Sequence, residues 1–169
     1  LRDENGKIVN AGEFLPMAAK VGMTLEIDRA MTEKTLGLLR QRGELSSPLS
    51  LNLCANTITH KNFRQWLRYE LMQLPKQLLS KLIFELPEEE IAKHQDSLLP
   101  PLRALKGLGC LLAVDHAGQD VISMQYIKDF DIDILKLHPS LVRDVHVRPM
   151  NQVAIRSLIG ACADSQVEV

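Results

Sequence analysis

An α/β fold built on a parallel sheet is what this sequence predicts, and three observations predict it. Four apolar runs, each followed by a helix-length amphipathic stretch, succeed one another from Leu49 onward. The runs are apolar without strict alternation, as strands covered on both faces are. The chain has 169 residues and is 46% apolar, enough for one core and too short for two ordinary domains.

Residues 1–48 read as an N-terminal turn followed by helices. Asn5-Gly6 marks a turn between two short extended pieces within Arg2 to Val9. From Glu13 to about Arg42 the apolar residues Phe14, Met17, Ala18, Val21, Leu25, Ile27, Met31, Leu36 and Leu39 recur at intervals of three and four. That spacing predicts two helices broken near Gly22, the second ending around Gly43. Residues 49–169 then hold four consecutive βα units. Strand Leu49 to Leu53 leads to a helix from about Lys61 to Leu74, and strand Lys81 to Leu86 to one from about Ala92 to Leu105 or Lys106. Strand Cys110 to Val114 leads to a helix near Val121 to Lys128, and strand Ile132 to Leu137 to one from about Pro149 to Cys162. Such a succession fits an open doubly wound sheet or a (β/α)8 barrel. No glycine-rich phosphate loop follows any strand, which disfavours the dinucleotide-binding version.

Composition narrows the functional classes. Lys and Arg number 20 against 21 Asp and Glu, a net charge of −1, so a strongly cationic nucleic-acid surface is not expected. Only 4% of residues are aromatic, against a base-stacking platform. No apolar run approaches the ~20 residues that span a bilayer, and no signal-peptide pattern is present. Cys54, Cys110 and Cys162 have neither a disulfide nor a zinc spacing, so a soluble, intracellular domain in a reducing compartment is expected.

Each apolar run carries a polar residue near its C-terminal end: Asn52 in SLNLC, Glu85 in LIFEL, Asp115 in LLAVD and Lys136 in ILKLH. In a parallel barrel these side chains converge on the face where such enzymes keep their chemistry. Two carboxylates, an amide oxygen and an ammonium suit a hard cation and a phosphate ester. The plainer readings are solvated strand ends, or a Glu85–Lys136 or Asp115–Lys136 ion pair that fills the mouth without a ligand. His116 and His138 likewise admit a transition-metal site or local hydrogen bonding, and the latter is expected. Arg143, Arg148, Arg156, Lys128 and Lys136 give the C-terminal third a basic character that Asp129, Asp131, Asp133 and Asp144 largely cancel, so a solvated face is expected there. Phe63, Trp66 and Tyr126 read as packing residues.

The order SLNLCAN, LIFELPEE, GCLLAVDHAG and DILKLHPSLV, preceded by GEFLPMAAKVGM and EIDRAM, resembles the EAL domain, a cyclic-di-GMP phosphodiesterase with a (β/α)8 barrel. The resemblance implies a partial TIM-type barrel whose first and last strands are missing from this chain. It implies a single truncated domain over 1–169, with two exposed sheet edges and a homodimer of the fragment to cover them. By the same resemblance Asn52, Glu85 and Asp115 match metal ligands of active members. Lys136 matches the lysine that contacts the catalytic water or phosphate, and Glu88 matches a glutamate that orders a loop near the metals.

The departures carry the functional expectation. Active members place two aspartates in succession where this chain has Asp115-His116, and another aspartate where it has His138. The turn that follows reads Ala117-Gly118-Gln119-Asp120. The family's Glu-Ala-Leu segment with its arginine would precede Leu1, and its general-base glutamate would follow Val169. An imidazole in place of a bridging carboxylate removes a negative charge from a two-metal site. Catalytic residues are therefore expected to be vestigial, with no metal or cofactor. Magnesium or calcium at Asn52, Glu85 and Asp115 is the alternative.

The stretches FRQWLRYELMQL, ILKLHPSLVRDV and NQVAIRSLIGAC look like a degenerate branch of the family, the CsrD/MshH branch. That likeness implies an inactive regulatory domain, cytoplasmic in an inner-membrane-anchored protein. A protein partner in the RNA-decay machinery or in pilus assembly goes with it, and RNA as a contact of the full-length protein. A non-hydrolysing cyclic-di-GMP receptor is the second reading, and an active phosphodiesterase using His116 is the third.

Overall fold

A computed structural model of the chain describes residues 2, 4–43, 45–118 and 125–169. Gln119 and Asp120 of the expected turn, and the start of the helix placed near Val121, lie outside the described residues. Arg2 bridges Ile8 antiparallel across the Asn5-Gly6 turn, where Gly6 takes φ 78°. Helix α1 (Ala11–Lys20) and helix α2 (Thr24–Arg42) follow, divided at Gly22 and closed at Gly43.

Their buried faces differ from the apolar spacing. No residue of α1 is buried, with Met17 69% and Val21 70% exposed. Helix α2 instead buries Asp28, Thr32, Thr35, Leu36 and Leu39, while Met31 points outward. The polar members can enter because their bonding capacity is met: Thr32 Oγ1 donates to Asp28 O at 2.6 Å, and Asp28 Oδ2 accepts from Cys54 N at 3.0 Å.

Strand β1 (Leu49–Asn52) leads into short helix α3 (Ala55–Thr59), helix α4 (Lys61–Met72) and short helix α5 (Lys76–Leu79). Strand β2 (Leu82–Pro87) is followed by α6 (Glu88–Lys93) and α7 (Gln95–Leu108). The single helix expected from Ala92 is thus two, beginning four residues earlier and breaking at His94. Pro87 precedes the first turn, where Glu88, Glu89 and Glu90 meet the positive end of the helix dipole, so the acidic run starts a helix. Strand β3 (Leu111–Ala117) runs three residues beyond expectation, and helix α8 (Gln125–Asp129) comes next. Strand β4 (Ile134–Leu137), short helix α9 (Pro139–Val142) and helix α10 (Pro149–Cys162) complete the order. Pro149 sits in the first turn of α10, where its missing N–H costs nothing.

The strands form one parallel sheet in the order β1-β2-β3-β4, each neighbour reached through helices, which is an arc of a TIM-type barrel. Leu51, Phe84, Val114 and Leu135 belong to the core, together with Phe63, Leu67 and Leu71 of α4 and Leu98, Leu102 and Leu105 of α7. Burying each of these large side chains stabilises by about 1.5–3 kcal/mol. Of the two open edges expected, one is partly covered. Leu135 N donates to Glu168 O at 2.7 Å and Glu168 N to Asp133 O at 2.9 Å, so residues 167–169 lie along β4. The three cysteines are free, and among the described residues no helix is long and apolar enough to cross a membrane.

Candidate functional site

Successive side chains on a strand point to opposite faces of a sheet. Leu51, Phe84, Val114 and Leu135 face the helices, so their neighbours Asn52, Glu85, Asp115 and Lys136 face the barrel interior. Register places Asn52 beside Glu85, Glu85 beside Ala113 and Ala113 beside Ile134. Asp115 and Lys136 therefore stand one same-face position further toward the C-terminal end of the sheet. The four polar strand-end residues are brought to one face and one end.

Within that group Glu85 is 3% exposed and is ion-paired with Lys136 Nζ. A buried carboxylate needs such a partner, and the lysine stem brings its ammonium in from the half-exposed rim. Asp115 Oδ2 lies 3.0 Å from His116 Nδ1, and Asp115 Oδ1 accepts the backbone N–H of His116 at 2.9 Å. His116 has φ 60°, and the β3–β4 register is interrupted between Val114 and Ala117. This irregularity turns the His116 side chain, half exposed, away from the flat pleat. His138 caps α9: its Nδ1 accepts from Ser140 N at 3.2 Å and lies 2.7 Å from Ser140 Oγ. The two imidazoles stand 5.4 Å apart at a tilt of 49°.

A two-metal centre requires several hard oxygen donors turned toward shared ions. Here Glu85 is held by Lys136 and Asp115 by His116, and among the described residues no three His, Cys, Asp or Glu side chains cluster as a metal cage.

Glu88 lies just past the mouth, 3% exposed. Its Oε1 accepts from Tyr126 Oη at 2.6 Å and its Oε2 from Gly118 N at 2.8 Å. One carboxylate thus ties together the residues flanking 119–124. Burial, reinforced by this bond to Glu88, pushes the Tyr126 phenol far above its ordinary range, so it stays a donor.

Sequence reasoning missed a second pair of carboxylates. Asp28 accepts from Cys54 N and Glu90 accepts from Ala55 N, so two acids from α2 and α6 meet the start of α3 directly after β1. Burial first, and then the charges of Asp28 and Glu90, push the Cys54 thiol up to about 12. An acid at an apolar-spaced helix position, as in EIDRAM, was the available signal. In the C-terminal third Arg148 lies 3.6 Å from Asp144, and Lys106 pairs with Asp133 at 2.6 Å. Phe63 and Tyr126 are buried, and Trp66 stacks beside Phe63 at 5.5 Å under the Arg29 guanidinium.

A parallel sheet with helices outside and an amide, two carboxylates and a lysine at its C-terminal end defines part of a TIM-type barrel. The chain belongs to the EAL domain family, whose sequence profile matches residues 1–169. It is 34% identical over 161 residues to the RNase E specificity factor CsrD of Escherichia coli, covering 95% of this chain and 25% of that protein. It is 27% identical over 165 residues to the cyclic di-GMP phosphodiesterase PdeA of Borreliella burgdorferi, covering 94% of this chain and 24% of the relative. The chain therefore spans about a quarter of the length of these relatives. Among solved structures it superposes on the FimX EAL domain of Pseudomonas aeruginosa bound to c-di-GMP with a TM-score of 0.86. The sequences are 22% identical, and the match covers 99% of this chain and 67% of the other. The Vibrio cholerae LapD GGDEF-EAL structure gives the same TM-score at 21% identity, over 98% of this chain and 40% of that one.

Proposed function

We propose that this chain is a non-hydrolysing EAL domain that works as a regulatory, protein-binding module of the kind named in the RNase E specificity factor. One observation carries the reading: the carboxylates that would hold ions are engaged within the chain, Glu85 by Lys136 and Asp115 by His116. An imidazole at 116 lowers the negative charge of the mouth and occupies the oxygen beside it. The likeness to CsrD supports a partner in RNA decay, and the membrane-anchored, cytoplasmic placement belongs to the same reading. Pilus assembly is the alternative setting on the MshH side of the resemblance.

The test is turnover of cyclic-di-GMP by the full-length protein with magnesium, manganese and calcium in turn. No metal supports turnover if the reading holds. Metal-dependent turnover that Glu85→Gln abolishes overturns it. Saturable binding of the nucleotide without turnover would move the protein to the receptor class.

A further inference from the structure

The motif FRQWLRYELMQL has two faces, and the core uses one of them. Phe63, Leu67 and Leu71 of α4 are buried, whereas Arg64 and Arg68 point toward a trough between α4 and α7. Its volume is about 330 Å³, and it is open to solvent on the outer side of the sheet, away from the barrel mouth. One wall carries Lys61, Arg64 and Arg68, spaced three and four apart and therefore on one stripe of the helix. The other is Pro100, Ala104 and Leu108 of α7, with Leu67 and Leu105 beneath. No carboxylate lines the trough, and none pairs with these three cations among the described residues. Arg64 Nε is buried and meets no acceptor among the described residues.

We propose that this trough is the docking site for an acidic amphipathic segment of a protein partner. An apolar floor between two helices takes the apolar stripe of such a segment, and a cationic wall selects carboxylates beside that stripe. A carboxylate in the trough pairs with the Arg64 and Arg68 guanidinium groups that line it. Single-stranded nucleic acid is the poorer fit, because no aromatic side chain lines the trough to stack a base. The proposal deepens the protein-binding reading above and rests on it for the class of partner, while the trough lies apart from the mouth.

The experiment is fluorescence anisotropy of the full-length protein with a labelled helical peptide. The peptide carries leucines at i, i+3, i+4 and i+7 flanked by glutamates, and a control replaces the glutamates by lysines. The acidic peptide binds saturably and more weakly as salt rises, and the lysine control does not bind. Arg64→Glu with Arg68→Glu weakens binding at least about tenfold, because like charges then face each other. Ala104→Trp, which fills the trough without changing charge, weakens it as well, and circular dichroism shows that each variant keeps its fold. Equal binding of both peptides, no binding of the acidic one, or affinity unmoved by either variant overturns the proposal. So does binding of polyuridylate or of phosphatidylglycerol vesicles through Arg64 and Arg68 in place of the peptide. Glu85→Gln leaves peptide affinity unchanged, so a failure of the mouth reading in the turnover assay is distinguishable from a failure at the trough.

Discussion

Glu88 buries a carboxylate against two donors from distant positions, Gly118 N and the Tyr126 hydroxyl. Hydrogen bonds to a charged group contribute about 1.5–3 kcal/mol each. Tyr126→Phe removes one of them, and a loss of that size is expected in urea unfolding. The same residue sets an alkaline limit. Because folding raises the phenol's proton affinity, its contribution to stability is complete below its ordinary pKa of about 10 and is lost as pH climbs above it. The Cys54 and Cys110 thiols, both pushed up to about 12 by burial first, act in the same direction from about pH 9 upward. Urea midpoints measured between about pH 8 and 11 should therefore fall steadily, and Tyr126→Phe should flatten the upper part of the decline. A midpoint constant across that range would contradict the burial of all three groups.

Turns and strand ends decide what the elements can present. Gly118 follows β3 with φ 82°, and a Cβ there would lie 2.8 Å from Leu141 Cδ1 of α9 and 2.8 Å from Leu158 Cδ1 of α10. Left-handed backbone at a non-glycine residue costs about 1–3 kcal/mol. Gly118→Ala is therefore expected to lower the thermal midpoint, with the leucine ends moving aside to relieve the contacts; an unchanged midpoint would mean that this turn relaxes freely. The strands and α10 were legible in the sequence because apolar runs and a leading proline are local signals. The break at His94 was not, because the apolar spacing of Leu98, Leu102 and Leu105 runs smoothly back toward Ile91 in sequence. The buried face of α2 was not legible in the apolar spacing for a different reason: Asp28 and Thr32 are buried through bonds that periodicity does not encode. At the mouth, alternation made the common face of Asn52, Glu85, Asp115 and Lys136 legible. The left-handed turn at His116 goes with the break in register between Val114 and Ala117, which only the paired strands define, whereas the His138 cap is local to Ser140 but made by a residue type outside the usual capping set.

Across the whole molecule, protection should be graded from the middle of the sheet outward. Strands β2 and β3 are paired on both sides, β1 on one, and β4 is bounded by β3 and residues 167–169. Amide hydrogen exchange should be slowest in β2 and β3. Removing residues 167–169 should accelerate exchange at Leu135, whose N–H bonds Glu168 O, and leave Phe84 unaffected. Loss of protection throughout the sheet would instead make that terminal pairing part of the global fold.

The two faces of the sheet also divide positions that bear the core from positions that do not. The helix-facing layer of Leu51, Phe84, Val114 and Leu135 holds the chain together, while residues 116 and 138 stand at the other face or beyond it. A change of side chain at either position opens no cavity and strands no core neighbour. The sheet therefore tolerates exchange at its mouth that it would not tolerate in the layer facing the helices, where every truncation leaves a cavity.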